Sequence, residues 1–280
     1  DPENIVIEPS AKNTAPAIGL VSIKIFQKYK NAIMGIFPAD HLIVGHKKFE
    51  KSMDNAFRMV KKQNNLVTIG IKPTYPSTAY GYIQYEPNND KNNIGYHVKT
   101  FAEKPHEKLA KRFLKSGDFL WNAGIFIWQV DTLLSSLNNH MPELYDSLIK
   151  IKSCLDKSDN FEDIWNNITP TSIDYGLMEK SNNIFVVPAE FEWNDLGSWD
   201  ALHKFFSKKE GENIIRGFGN VLDGKNNLIQ SIDKFTAIIG LDDIVVVNTE
   251  DATLVVKKDM VERVKELVSW LEKKDYKELI

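Results

Sequence analysis

A chain of 280 residues with 42% apolar and 26% charged side chains can bury a core without disulfide staples, and its formal net charge of -3 gives no bulk attraction to nucleic acid or anionic lipid. The single cysteine, Cys154, excludes an internal disulfide and a thiolate metal cluster, which fits a reducing cytoplasmic setting. Apolar runs fall short of the ~20 residues needed to cross a bilayer, so no membrane partner is expected.

In chain order, residues 4–9 read as a short β-branched strand stopped by Pro9. Thr14 then caps a helix with Pro16 in its first turn, reaching about Tyr29. Residues 32–37 are again continuously apolar, as in a parallel strand covered on both faces, completing a βαβ unit. Phe49, Met53, Ala56, Phe57 and Val60 follow helical spacing, and residues 66–71 form the next strand. Gly81 to Tyr85 alternates, residues 87–93 are a polar turn and residues 96–101 return, which predicts an inserted hairpin. A short helix with Leu109 and Phe113 inward stops at Gly117. Residues 119–130 are apolar and aromatic apart from Asn122, residues 133–155 and 161–168 read as surface helices, and residues 184–187 are a strand. The run Ser207-Lys208-Lys209-Glu210-Gly211-Glu212 reads as a charged linker. Short strands around Leu228, residues 237–239, 244–247 and 254–256 follow, with no convincing repeat. A final helix places Val261, Val264, Leu267, Val268 and Leu271 on one face. The fold class is α/β, a Rossmann-like mostly parallel sheet with an inserted hairpin, plus a small C-terminal β segment and helix. The expected domains are residues 1–206 and 207–280.

Ligands of open α/β sheets sit beyond the carboxyl ends of strands, where Asp40 closes Gly35-Ile36-Phe37-Pro38-Ala39-Asp40-His41. A carboxylate there can hold Mg²⁺, and a turn-capping side chain is the alternative. Asp195 is a second strand-end acid, set between Trp193 and Trp199 with Gly197 allowing close backbone approach; capping a helix that starts near Ser198 is its plainer reading. Two carboxylates on one cation could offset charge building on a phosphoryl group. In Glu103-Lys104-Pro105 the lysine is a point charge suited to phosphate, or half of a surface ion pair. Asn122, in an apolar segment, must be satisfied by backbone or by ligand hydroxyls. Asp174 stands beside Tyr175 and Gly176, where a helix N-cap is the alternative. Glu8, ahead of Asn13 and Thr14, could accept two guanine donors, or simply be a solvated charge.

Together these segments resemble the mannose-1-phosphate guanylyltransferases among the sugar-1-phosphate nucleotidyltransferases. The matching stretches are Glu8-Pro9 with Lys12-Asn13-Thr14-Ala15-Pro16-Ala17, Pro38-Ala39-Asp40-His41, and Thr78-Ala79-Tyr80-Gly81-Tyr82-Ile83. Residues 101–105, Phe119-Leu120-Trp121-Asn122-Ala123-Gly124, residues 172–180, residues 192–199 and Gly240-Leu241-Asp242-Asp243 continue them in the family's order. The resemblance implies GTP and mannose-1-phosphate as substrates and Mg²⁺ as cofactor, held by Asp40 and Asp195. It puts Lys104 on the sugar phosphate, Gly81, Glu103, Asn122 and Asp174 around mannose, and Glu8, Asn13 and Thr14 at guanine. It also implies an in-line attack giving GDP-mannose, catalysed by Asp40, Lys104 and Asp195, in an enzyme of polysaccharide biosynthesis.

The family opens with a Gly-rich loop, an Arg and a Pro-Lys pair that cradle triphosphate, and nothing before Glu8 matches them. The chain therefore reads as N-terminally incomplete by some ~70 residues, about half a domain of typical size, and as poorly active or inactive alone. It also reads as lacking the cupin isomerase domain of longer relatives. A homodimer contact through the C-terminal strands and helix is a candidate. Competing readings are a sister enzyme using glucose-1-phosphate with dTTP or UTP, and a silent binding or regulatory subunit.

Overall fold

The computed structural model describes residues 4–63, 65–87, 93–197, 199–207 and 209–279. Two compact units are present, one formed by Asp1–Ala39 with Ile43–Trp193, the other by Asp40–Leu42 with Asn194–Ile280.

The first unit is an α/β layer structure. Its helices are α1 (Thr14–Lys28), α2 (His46–Gln63), α3 (Glu107–Ser116), α4 (Val130–His140), α5 (Pro142–Lys157) and α6 (Glu162–Asn166). Its strands β1 (Ile33–Ile36), β3 (Leu66–Ile71), β4 (Tyr82–Tyr85), β5 (Tyr96–Ala102), β6 (Phe119–Gln129) and β7 (Ile184–Pro188) form one sheet in the order β1-β6-β3-β7-β5-β4. The short strand β2 (Leu42–Val44) pairs instead with β8 (Glu192–Asn194). In the large sheet β3 and β7 are parallel neighbours, while β6 runs antiparallel to β1, β3 and β4, and β5 antiparallel to β4 and β7. Thus β1, β3, β4 and β7 share one direction; β1 and β3 are parallel to each other, as the βαβ reading expected, but the long β6 is wedged between them.

Pleat parity assigns the faces of β6. Leu120, Phe126 and Trp128 join α1, α4 and α5 in one buried cluster. Phe119, Trp121, Ala123, Ile125 and Ile127 join α2 in the other. Gly19 of α1 meets Leu148 of α5 so closely that an added Cβ would lie 2.5 Å from a Leu148 methyl, which sets the approach of those two helices.

Several local expectations are corrected. Residues 5–8 form no strand: Ile5 and Ile7 are 67% and 81% exposed, and no ladder partner pairs with them. A β-branched run needs such a partner to become a strand. The first βαβ unit is therefore absent, and Glu8 lies in coil. The cap of α1 is Asn13, whose side chain accepts from the Thr14 N–H. The expected helix over residues 133–155 breaks at Met141, because Pro142 starts a new helix and cannot continue the old one. Both pieces bury a face through Leu133, Leu137, Leu144 and Leu148, so they are core helices. The polar turn expected at residues 87–93 lies mostly outside the described residues, as do Ser198, the expected helix start, and Lys208.

In the second unit, α7 (Trp199–Phe206) leads into β9 (Ile214–Leu222), β10 (Leu228–Ile239), β11 (Ile244–Asn248) and β12 (Thr253–Lys257), then a 3₁₀ turn and α8 (Val264–Lys273). Strand β9 escaped sequence reasoning, and the pieces near Leu228 and residues 237–239 are one strand with an irregularity between Ser231 and Thr236. Both β9–β10 and β10–β11 are parallel, and β11–β12 is antiparallel. A repeat does exist. Asn213 Nδ2 donates to the Gly224 carbonyl while its Oδ1 accepts from Asn227 N–H, and one coil later Asn227 Nδ2 donates to the Leu241 carbonyl while its Oδ1 accepts from Ile244 N–H. Residues 209–211 of the charged run form a turn, and His203 Nε2 lies 2.8 Å from the Glu212 carbonyl.

Candidate active site

The sheet face shared by Leu120 and Phe126 is interrupted at Asn122, where apolar packing gives way to a polar notch. Asn122 is fixed from several sides. Its backbone N–H donates to the Gly81 carbonyl at 2.8 Å, and its Oδ1 accepts from Gly124 N–H at 3.1 Å and from the Thr68 hydroxyl at 3.2 Å. Those donors orient the amide, so its Nδ2 points to Asp174 Oδ1 at 2.9 Å. Asp174 opens a π-helical turn, Asp174–Met178, a geometry frequent at functional sites. Its side chain accepts from Asn122 in place of the expected capping bond.

Glu103 enters from the end of β5. Its carboxyl is only 12% exposed, and Lys104 Nζ lies 3.6 Å from Oε1. Its other oxygen, Oε2, is buried and makes no hydrogen bond. Gly81 faces that oxygen: an added Cβ would collide with Glu103 Oε2 and crowd Asn122 Cβ at 3.2 Å. Burial raises the Glu103 carboxyl to a pKa of about 7; the Asp174 charge adds to the rise, and Lys104 opposes it. Asp174 is also raised, again chiefly by burial. Gly81, Glu103, Lys104, Asn122 and Asp174 are therefore gathered in one place, with acceptors, an amide and an exposed cation.

Thr14 Oγ1 accepts the Ile173 N–H at 2.8 Å, so the start of α1 is stitched beside Asp174. Asn13 holds φ 71° and ψ -178°, a conformation nearly confined to glycine. Glu8 is half-buried in the preceding coil.

Asp40 and Asp195 fall in the second unit. Asp40 is 85% exposed at its side chain, with His41 Nε2 4.0 Å away. Asp195 is the middle of a turn closed by Leu196 N–H to Asn194 Oδ1 at 2.7 Å, and Leu196 has φ 49°. These two acids flank the paired strands β2 and β8. Among the described residues no group of three or more His, Cys, Asp or Glu side chains is arranged to hold a metal. Mg²⁺ needs only one or two carboxylates when phosphates and water complete its shell.

Sequence reasoning missed Glu179, Thr68 and a ring cluster on the opposite sheet face. In that cluster Trp121 meets Tyr75 and Tyr80 at 4.9 and 5.0 Å, and Tyr80 meets Trp193 at 5.3 Å. The spacing Asp174–Glu179, five residues, signals a contact only once a π turn is known.

The first unit is thus a mixed sheet covered by helices, with a carboxylate-amide notch built around Asn122. Residues 2–212 match the nucleotidyl transferase family, so the chain belongs to it. Residues 220–271 match the MannoseP isomerase/GMP-like beta-helix domain, in line with the stacked parallel strands. Similar curated proteins include the mannose-1-phosphate guanylyltransferase of Escherichia coli, 33% identical over 98% of this chain and 61% of the relative. Alginate biosynthesis protein AlgA of Pseudomonas aeruginosa is 34% identical over 96% of this chain and 56% of the relative. The chain thus spans little more than half the length of these relatives. A crystal structure from Thermus thermophilus, described as a mannose-1-phosphate geranyltransferase, superposes with TM-score 0.86 at 29% identity, covering 95% of this chain and 77% of that one.

Proposed function

We propose that the protein containing this chain transfers GMP from GTP to mannose-1-phosphate, giving GDP-mannose and pyrophosphate. The observation that carries it is the unpaired, buried Glu103 Oε2 beside Gly81, Asn122 and Asp174. Buried polar atoms are nearly always bonded, and an acceptor kept free in a polar notch suits a sugar hydroxyl. The similarity to guanylyltransferases along nearly the whole chain supports the choice of mannose and guanine.

In this reading Glu103, Asn122 and Asp174 take the mannose hydroxyls, Gly81 leaves room for the ring, and Lys104 meets the sugar phosphate. Glu8, Asn13 and Thr14 face guanine. The phosphate oxygen of mannose-1-phosphate attacks the GTP α-phosphorus, and the bond to the bridging oxygen of pyrophosphate breaks. The side chains hold the reactants in line and offset charge. Asp40 and Asp195 would hold Mg²⁺, which when bound neutralises charge on the phosphates. No helix among the described residues is long and apolar enough to cross a membrane, and a cytoplasmic enzyme is proposed. A homodimer contact is proposed for the second unit, where Phe218, Ile232, Phe235 and Ile239 are 58–70% exposed; light scattering tests it.

The test is pyrophosphate release by the full-length protein with each nucleoside triphosphate against mannose-1-phosphate and glucose-1-phosphate. GTP with mannose-1-phosphate should dominate. Turnover with glucose-1-phosphate and dTTP or UTP instead, or binding without turnover, overturns the reading. Asp40→Asn and Asp195→Asn should each lose roughly a hundredfold or more in kcat if both hold the metal.

A further inference from the structure

Glu179 stands where two parts of the notch join. Its backbone N–H donates to the Asp174 carbonyl at 2.9 Å, closing the π turn. Its side-chain Oε1 accepts the backbone N–H of Glu103 at 3.0 Å. The last ladder pair before that point is Tyr82 with Ala102, so beyond it this carboxylate replaces a strand partner. Lys104 follows with φ 47°, a left-handed conformation that side-chain-bearing residues hold only where their surroundings impose it.

We propose that Glu179 is a positioning residue that clamps the Glu103–Lys104 turn to the segment carrying Asp174, so that the sugar and phosphate groups of the site are set as one unit. Its kinetic test rests on the substrate reading above, but its structural test does not. A charge effect accompanies the clamp. The groups facing Glu103 are the Asp174 and Glu179 carboxylates and the Lys104 ammonium, and Glu179 adds to the upward push on both Glu103 and Asp174.

Glu179→Gln keeps an acceptor oxygen and removes the charge, while Glu179→Ala removes both. Glu179→Asp keeps the charge but stops one methylene short. In amide exchange followed by NMR, the Glu103 N–H should exchange roughly tenfold faster or more in the Ala and Asp variants, and near the wild-type rate in the Gln variant. The Glu103 carboxyl titration midpoint should fall in the Gln and Ala variants. In the full-length enzyme the Ala variant should raise KM for mannose-1-phosphate about tenfold with kcat changed less than about threefold, and the Gln variant should restore KM to within about threefold of wild type. Equal Glu103 protection in wild type and the Ala variant, or equal KM in the Ala and Gln variants, overturns the clamp. If wild type fails to turn over mannose-1-phosphate and GTP, the substrate reading fails, and exchange and titration still decide the role of Glu179.

Discussion

Replacing Glu103 by glutamine tests the electrostatics of the notch. The buried carboxyl is raised from 4.5 to about 7, mainly because ionising it inside the notch forfeits water. A shift of that size corresponds to ~3 kcal/mol at 1.36 kcal/mol per pH unit, and screening by nearby solvent reduces it to about 1–2 kcal/mol. The folded-state value lies above the unfolded one, so the contribution is fully present below pH 4.5 and is lost as pH rises through about 7. Thermal unfolding followed by circular dichroism between pH 5 and pH 8 should show wild type losing a few degrees of Tm relative to Glu103→Gln, which has nothing to ionise there. Tm curves for the two proteins that run parallel across this range would refute the assignment of a perturbed, buried carboxyl.

Gly81→Ala places a methyl against Glu103 Oε2; an overpacking cost of roughly 1–3 kcal/mol and a KM for the sugar phosphate raised tenfold or more are expected, read by unfolding and steady-state kinetics. Asn13→Gly relieves the strain at φ 71° and should stabilise the fold by about 1 kcal/mol, while weakening GTP binding measured by calorimetry if the amide meets guanine. Asn227→Ala orphans the Leu241 carbonyl and the Ile244 N–H in a buried ladder and should cost about 2–4 kcal/mol in denaturant unfolding; a change under 0.5 kcal/mol would contradict the ladder.

The apolar periodicities of residues 49–60, 66–71 and 96–101 determined α2, β3 and β5, because a buried face imposes its own period on the chain. Gly117 ended α3 with φ 81°, as the absence of a Cβ allows. Asn122, an amide in an apolar strand, was legible as a residue needing a partner. Which partner it has was not legible: Asp174 lies 52 positions away, on a π turn, and only tertiary packing brings the two together. Residues 4–9 carry the composition of a strand and form none, since strand formation is decided by a neighbouring edge and not by the segment. The repeat of Asn213 and Asn227 was equally hidden, because its coils differ in length and only the stacked backbones show the same side chain doing the same task. Local pattern thus determined many of the elements and flagged side chains able to carry chemistry. The tertiary structure alone decided which of them meet, because hydrogen bonds and desolvation act across space while sequence motifs report only what is near along the chain.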